Sequence, residues 1–275
     1  MFFARSTFST PAAAQAGAGP AVPHRVHWAF TDARGDATDV ELSAARPGDG
    51  ADEPVSAYGR FNLGGHVGDE PGAVAASRRR LVEEFGGVPE GVVYMNQVHG
   101  GDVAVVEGPW VGEAPPVDGV VSARPGLGLA VLVADCVPVL LADPVSGVIG
   151  AAHAGRKGMV AGVVTATIET MRGLGAGDIA AVVGPSICGR CYEVPREMRA
   201  EAARVRPVSA AVTWAGTPAI DVAAGVVEEL SAAGASVTWV AGCTLEPPHL
   251  YSYRRNPRTG RFAGVVAVER IDGSL

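Results

Sequence analysis

From Leu127 to Leu141 the chain reads LGLAVLVADCVPVLL, an apolar run interrupted by Asp135 and Pro138. A run this dense predicts a strand buried on both faces, with a pause just after Cys136 because proline cannot donate to a sheet ladder. A second buried strand, GVIGAAHAG, follows the Asp143–Pro144 turn. Helical spacing then starts at Gly158 and runs through MVAGVVTATIETMRGLG. IAAVVGPSICG, VTWVAGCT and the run before Arg270 read as further strands, and 195–206 and DVAAGVVEELSAAGA as helices. On the N-terminal side HRVHWAFTD alternates like an edge strand, and VAASRRRLVEEFGG has helical spacing closed by a glycine pair. VVYMNQVHG and DVAVVEG are strand-like. FNLGGHVGDEP, around His66, is loop chemistry, and 33–57 reads as a long loop. Residues 1–23, rich in Ala, Pro and Gly, are expected to form a disordered tail ahead of a single mixed α/β domain over 24–275.

Composition narrows the function. Of 275 residues 48% are hydrophobic and 19% charged, the balance of a chain with a sizeable core. A net charge of −7 gives no counterion-release drive for nucleic acid, so neither DNA nor RNA is an expected partner. No stretch of roughly 20 apolar residues predicts a membrane helix. The first residues lack the apolar core of a secretory signal, so a cytoplasmic location and reduced thiols are expected. The four cysteines are Cys136, Cys188, Cys191 and Cys243, too few for a disulfide scaffold.

Three polar residues stand where apolar strands end: His99 in NQVHG, Cys136 in VADCVP and His153 in AAHAG. Two imidazoles and a thiolate suit zinc, and three protein ligands leave a fourth tetrahedral position for water or substrate. The same residues also fit a core histidine, a surface histidine and a buried cysteine. Gln97, two residues before His99, faces the same side and either bonds within the site or serves the backbone. Asp135 likewise either orients a neighbour or satisfies nearby amides. Arg156 and Lys157 open a helix directly after His153 and suit either an anion or a solvated turn. Cys188 and Cys191 form one CxxC with no second pair at metal-finger spacing, so they read as packing.

NQVHG, DGVVSARPGLGLAVLVADCVPVLLADP, GVIGAAHAG, VVGPSICGRCYEV, Cys243–Thr244 and SYRR…TGR occur in the order seen in the YfiH-type family. The resemblance covers roughly residues 26–267. This family is also called the multicopper polyphenol oxidase, or laccase-like, domain family, and its bacterial members are named purine nucleoside phosphorylases. The resemblance implies a sandwich-like α/β domain related to cytotoxic-necrotizing-factor-type cysteine hydrolases. It implies metal ligands at His99, Cys136 and His153, which also carry the catalysis, with zinc as the metal and copper as the alternative. The implied activities are phosphorolysis of adenosine, inosine, guanosine and methylthioadenosine, and deamination of adenosine. Arg156, Lys157, His66 and Gln97 are then the candidate substrate-binding residues, in a monomer or small homo-oligomer acting on nucleosides and phosphate. HAGRKG stands where many members carry HAGWRG, which leaves substrate choice less secure than the metal site. A cysteine-dependent amide hydrolase editing peptidoglycan precursors is the competing enzyme class. A copper oxidase is disfavoured by six histidines and no HxH pair.

Overall fold

A computed structural model describes residues 1–9, 24–34, 57–85 and 88–271. The loop read over 33–57 falls mostly, and the tail from residue 10, outside the described residues, as does the glycine pair at 86–87. The strands are β1 (Phe2–Ser9), β2 (His24–Thr31), β3 (Gly91–Tyr94), β4 (Val103–Val105), β5 (Gly119–Ser122), β6 (Leu127–Val133), β7 (Val137–Asp143), β8 (Val148–Ala154), β9 (Ala180–Val183), β10 (Ala210–Val212), β11 (Pro218–Ile220), β12 (Ser236–Trp239) and β13 (Phe262–Arg270). The helices are α1 (Pro71–Glu84), α2 (Arg156–Ala161), α3 (Val163–Gly173), α4 (Arg196–Val205) and α5 (Val222–Ala232). One sheet has the order β1-β2-β13-β6-β3 and the other β12-β9-β7-β8-β5-β4, with β10 and β11 as a separate hairpin.

Side-chain alternation stacks these sheets. Leu129, Val131 and Val133 of β6 meet Leu140 and Ala142 of β7 and Ile149 and Ala151 of β8 in a core between them. The intervening residues face outward on both sides. Ala130 and Leu132 pack on Leu81 of α1, whereas Val139, Leu141 and Ala152 pack on Met159, Val164, Ile168 and Val226 of the other helices. The result is a mixed α/β sandwich with helices on both outer faces. Phe30 pins the two sheets, because its ring lies where a Cβ on Gly184 or Gly264 would stand, 2.3 and 2.8 Å away. None of its helices is long and apolar enough to cross a membrane among the described residues.

Four local expectations change. The run 127–144 is two strands in different sheets, and the break falls at Ala134–Asp135–Cys136 rather than after Cys136. Asp135, with φ of 97°, turns the chain from one sheet to the other. Pro138 then sits inside β7, paired with His153. Residues 2–9, expected in the tail, form β1 on β2, so β2 lies inside the sheet instead of at its edge. The helix expected after His153 does open at Arg156, but it divides at Gly162, whose φ of 79° ends α2 and begins α3.

Candidate functional site

β7 and β8 are antiparallel neighbours, so the residue that begins one lies beside the residue that ends the other. Cys136 immediately precedes β7, and His153 is the penultimate residue of β8. His153 shares the alternation of Ile149 and Ala151, which aims it into the space between the sheets. His99 comes from the loop after β3 in the opposite sheet. The fold thus delivers three ligand-type side chains from two sheets to one end of the sandwich. Cys136 Sγ lies 3.7 Å from His99 Nε2, and the two imidazoles meet edge to face with centroids 4.8 Å apart. The ligand atoms of all three lie within 4.8 Å of one another.

Asp118, just before β5, holds this arrangement together, and sequence reading did not single it out. It is fully buried, and its carboxylate accepts hydrogen bonds from the amides of Val98 (3.1 Å), His99 (2.9 Å) and Gly100 (2.6 Å). Those three bonds hold His99 at a φ of 62°, a conformation a side chain rarely adopts unaided. The same carboxylate accepts from His153 Nδ1 at 2.7 Å. That bond fixes the tautomer and leaves Nε2 for the cluster. A buried aspartate within the apolar stretch VDGVV was the available signal. Gly155 supplies the remaining space: a Cβ there would stand 2.9 Å from His99 Cδ2 and 3.0 Å from Cys136 Sγ.

Electrostatics follow this geometry. Burial works against a charged Asp118, but the bonds from His153, Gly100 and Val98 hold its carboxyl below the usual value. Burial also opposes ionisation of Cys136, yet the His153 charge and hydrogen bonds from both histidines lower it to about 6. His153 is raised to about 9 against its burial, by the Cys136 thiolate and by Asp118. Each group thus favours the charged form of the other, a thiolate facing an imidazolium. Half-buried Cys136 and exposed His99 keep the cluster open to solvent on one side.

The substrate residues expected from sequence divide. Arg156 is half-buried, pairs with Glu201 at 3.4 Å and hydrogen-bonds Tyr192, whose hydroxyl is raised by burial and by the Cys136 charge. His66 is held below its ordinary value by burial and then by Arg261, Arg78 and His153, which puts it within electrostatic reach of the cluster. Lys157 is exposed. Gln97 does not enter the cluster: its Nε2 donates to Leu132 O (2.7 Å) and its Oε1 accepts from Leu132 N (2.9 Å), so it continues the sheet beyond β3 as a backbone surrogate. Asp135 also serves the scaffold, accepting from Thr244 Oγ1 (2.6 Å) and Arg254 N (2.7 Å). Two arginines not expected at the site do reach it. Arg261 feels the Cys136 and Asp135 charges, and Arg254 lies 5.2 Å over the Tyr192 ring. A separate cavity of about 320 Å³, lined by Phe2, Arg5, His27, Trp28 and Phe85 among others, contains none of these residues.

Known proteins share this architecture. A protein of Streptomyces griseus named purine nucleoside phosphorylase is 54% identical over 245 residues, 87% of this chain and 93% of its own length. The crystal structure of a Neisseria meningitidis protein superposes with a TM-score of 0.73 at 29% identity, covering 89% of this chain and 94% of that one. Bacillus licheniformis YfiH shares the fold at 23% identity and a TM-score of 0.71, over 88% of this chain and 92% of its own. Residues 47–269 match the model of the multi-copper polyphenol oxidoreductase laccase family, and the chain belongs to that family.

Proposed function

We propose that this chain is a zinc-dependent purine nucleoside phosphorylase that also deaminates adenosine, acting as one catalytic domain that includes β1. The observation that carries the reading is the convergence of His99, Cys136 and His153 within 4.8 Å, with Asp118 fixing two of them. The donor set fits zinc: a thiol lowered to about 6 and an imidazole whose second nitrogen is already bonded are a prepared soft-ligand group with one side open. When bound there, zinc supplies a Lewis acid that activates water and polarises a leaving group. Copper is the alternative metal for the same donors.

The chain's own residues supply positioning and charge. Asp118 keeps the His153 ring in one tautomer and stabilises its positive form. Arg156, Arg254 and Arg261 bring positive charge to the rim, where phosphate would dock by charge-assisted hydrogen bonds. Lys157 adds long-range attraction at the same end. His66, whose lowered pKa keeps it neutral near pH 7, can accept or return a proton at the purine or its ribose. In phosphorolysis the glycosidic bond breaks, the base leaves with a proton, and phosphate oxygen bonds to the ribose anomeric carbon. In deamination water oxygen replaces the exocyclic amino group, which leaves as ammonia.

A second reading has an observation in its favour. Cys136, His153 and Asp118 stand in the order of a nucleophile, its base and an orienting carboxylate, and the thiol is already lowered. That is the arrangement of a cysteine amide hydrolase. Metal dependence separates the two, because a thiol nucleophile needs no stoichiometric zinc.

The two proposed activities test the site together. Replacing Arg156 and Lys157 by Ala removes two charges next to the cluster and leaves its ligands in place. Charge-assisted bonds of about 1.5–3 kcal/mol imply a phosphate requirement raised roughly ten- to a hundredfold. Adenosine deamination, which uses water, should change by less than about threefold. Product assays with inosine at varied phosphate, and with adenosine without phosphate, read the split. Equal loss of both activities contradicts the phosphate role.

A further inference from the structure

The CxxC that reads as packing in the sequence does not stand alone in the fold. The chain leaves β9, passes Pro185 and forms an isolated parallel bridge between Ser186 and Cys243. Two backbone bonds make that bridge, Ser186 N to Gly242 O (3.0 Å) and Thr244 N to Ser186 O (3.1 Å). Each partner segment then makes the same tight turn. Cys191 N donates to Cys188 O at 3.0 Å, and Glu246 N donates to Cys243 O at 3.3 Å. The sequence across the bridge is therefore C-x2-C facing C-x2-E, two knuckles of equal spacing brought together by tertiary structure. Their ligand atoms, three sulfurs and one carboxylate oxygen, all lie within 4.8 Å of one another. Thiolates about a tetrahedral zinc stand roughly 3.8 Å apart, given a Zn–S bond near 2.3 Å, so the four donors need close in only slightly.

We propose that Cys188, Cys191, Cys243 and Glu246 form a second, structural zinc site that clamps the loop after β9 to the segment after β12. The site is closed by four protein donors, where the His99 cluster offers three and an open side. The surroundings agree with a clamp. The Arg255 guanidinium donates to the carbonyls of Thr244, Leu245, Pro247 and Leu250, so the loop that carries Glu246 is held from its far side. Asp135 binds Thr244 Oγ1, and Ile187 N donates to Asp135 O at 2.9 Å, which ties both knuckles to the residue before Cys136. A clamp here steadies Tyr192, one residue past Cys191, and the chain running on to Arg254. The proposal is independent of the reading of the His99 cluster.

The test uses the full-length reduced chain with Cys136→Ala, which removes the first cluster and leaves this one intact. Titrated with Co(II), that variant should develop a thiolate-to-cobalt charge-transfer band and intense tetrahedral visible bands. Both should saturate at about one ion per chain and disappear on addition of zinc. Glu246→Gln on the same background keeps every thiol and should bind roughly tenfold more weakly or worse. Adding Cys188→Ser and Cys191→Ser should abolish the bands, and in the parent the same pair should lower the unfolding midpoint by at least about 5 °C. Absence of thiolate bands in Cys136→Ala overturns the proposal. So does an intact mass two hydrogens short, which would mark a disulfide, or retention of the bands after both serine substitutions.

Discussion

The chain's four cysteines fall into two clusters, and their surroundings drive them in opposite directions. Cys136 has two imidazoles beside it and a carboxylate behind one of them, so a positive charge is always within reach and the thiol is lowered to about 6. Cys188, Cys191 and Cys243 have chiefly each other, with Glu246 added, so burial and crowding raise Cys188 and lift Cys191 to about 12. The first arrangement makes a thiolate before any ligand arrives. In the second, burial and the neighbouring thiols disfavour the thiolate at Cys188 and Cys191. The residue type is the same in both places, and the charge of the neighbours decides whether it is reactive or structural.

The sharpest contrast is in reactivity. In the metal-stripped chain, alkylation of Cys136 should rise through pH 6 and be nearly complete at pH 7, because only the thiolate reacts. Cys191, whose thiol is raised by burial and by its neighbours, should react far more slowly there. Peptide mapping after timed alkylation measures both. Equal rates at pH 7 would remove the electrostatic difference between the clusters.

Asp118→Asn attacks the cause of that difference. The amide keeps the shape but loses the charge that holds His153 in its tautomer. Zinc affinity of the first cluster, or turnover, should fall roughly 10- to 100-fold. Binding at the Cys188 cluster should not change. Isothermal titration with zinc on the Asp118→Asn chain reads both sites, and loss at both would show a general folding defect.

Gln97→Ala is the smallest effect. Two backbone bonds to Leu132 are lost, so stability should drop by about 1–2 kcal/mol while turnover stays within about twofold. A large loss of turnover with unchanged stability would return Gln97 to the substrate site.

What the sequence revealed depended on how local each signal was. His99, Cys136 and His153 were legible because each ends an apolar run, and strand ends deliver side chains to clefts. Asp118 was hidden because one aspartate between apolar residues gives no sign that it will grip three amides from a loop 20 residues earlier. The 127–144 run showed burial, but burial alone cannot show that β6 and β7 belong to different sheets. That depends on the left-handed turn at Asp135, which no periodicity encodes. β1 was invisible because its residues become a strand only by pairing with β2. Cys188 and Cys191 looked like filler because the other half of their cluster lies more than 50 residues away, joined by a single bridge at Ser186.

Reconstitution tests the central claim most directly. The full-length chain is stripped with chelator, and hypoxanthine release from inosine and phosphate is followed as zinc is returned, beside Cys136→Ala treated in the same way. The account predicts no turnover in the stripped chain and recovery that saturates once the His99–Cys136–His153 group holds about one zinc. It predicts no recovery in Cys136→Ala. Full turnover in the stripped chain, or restored turnover in Cys136→Ala, would contradict it.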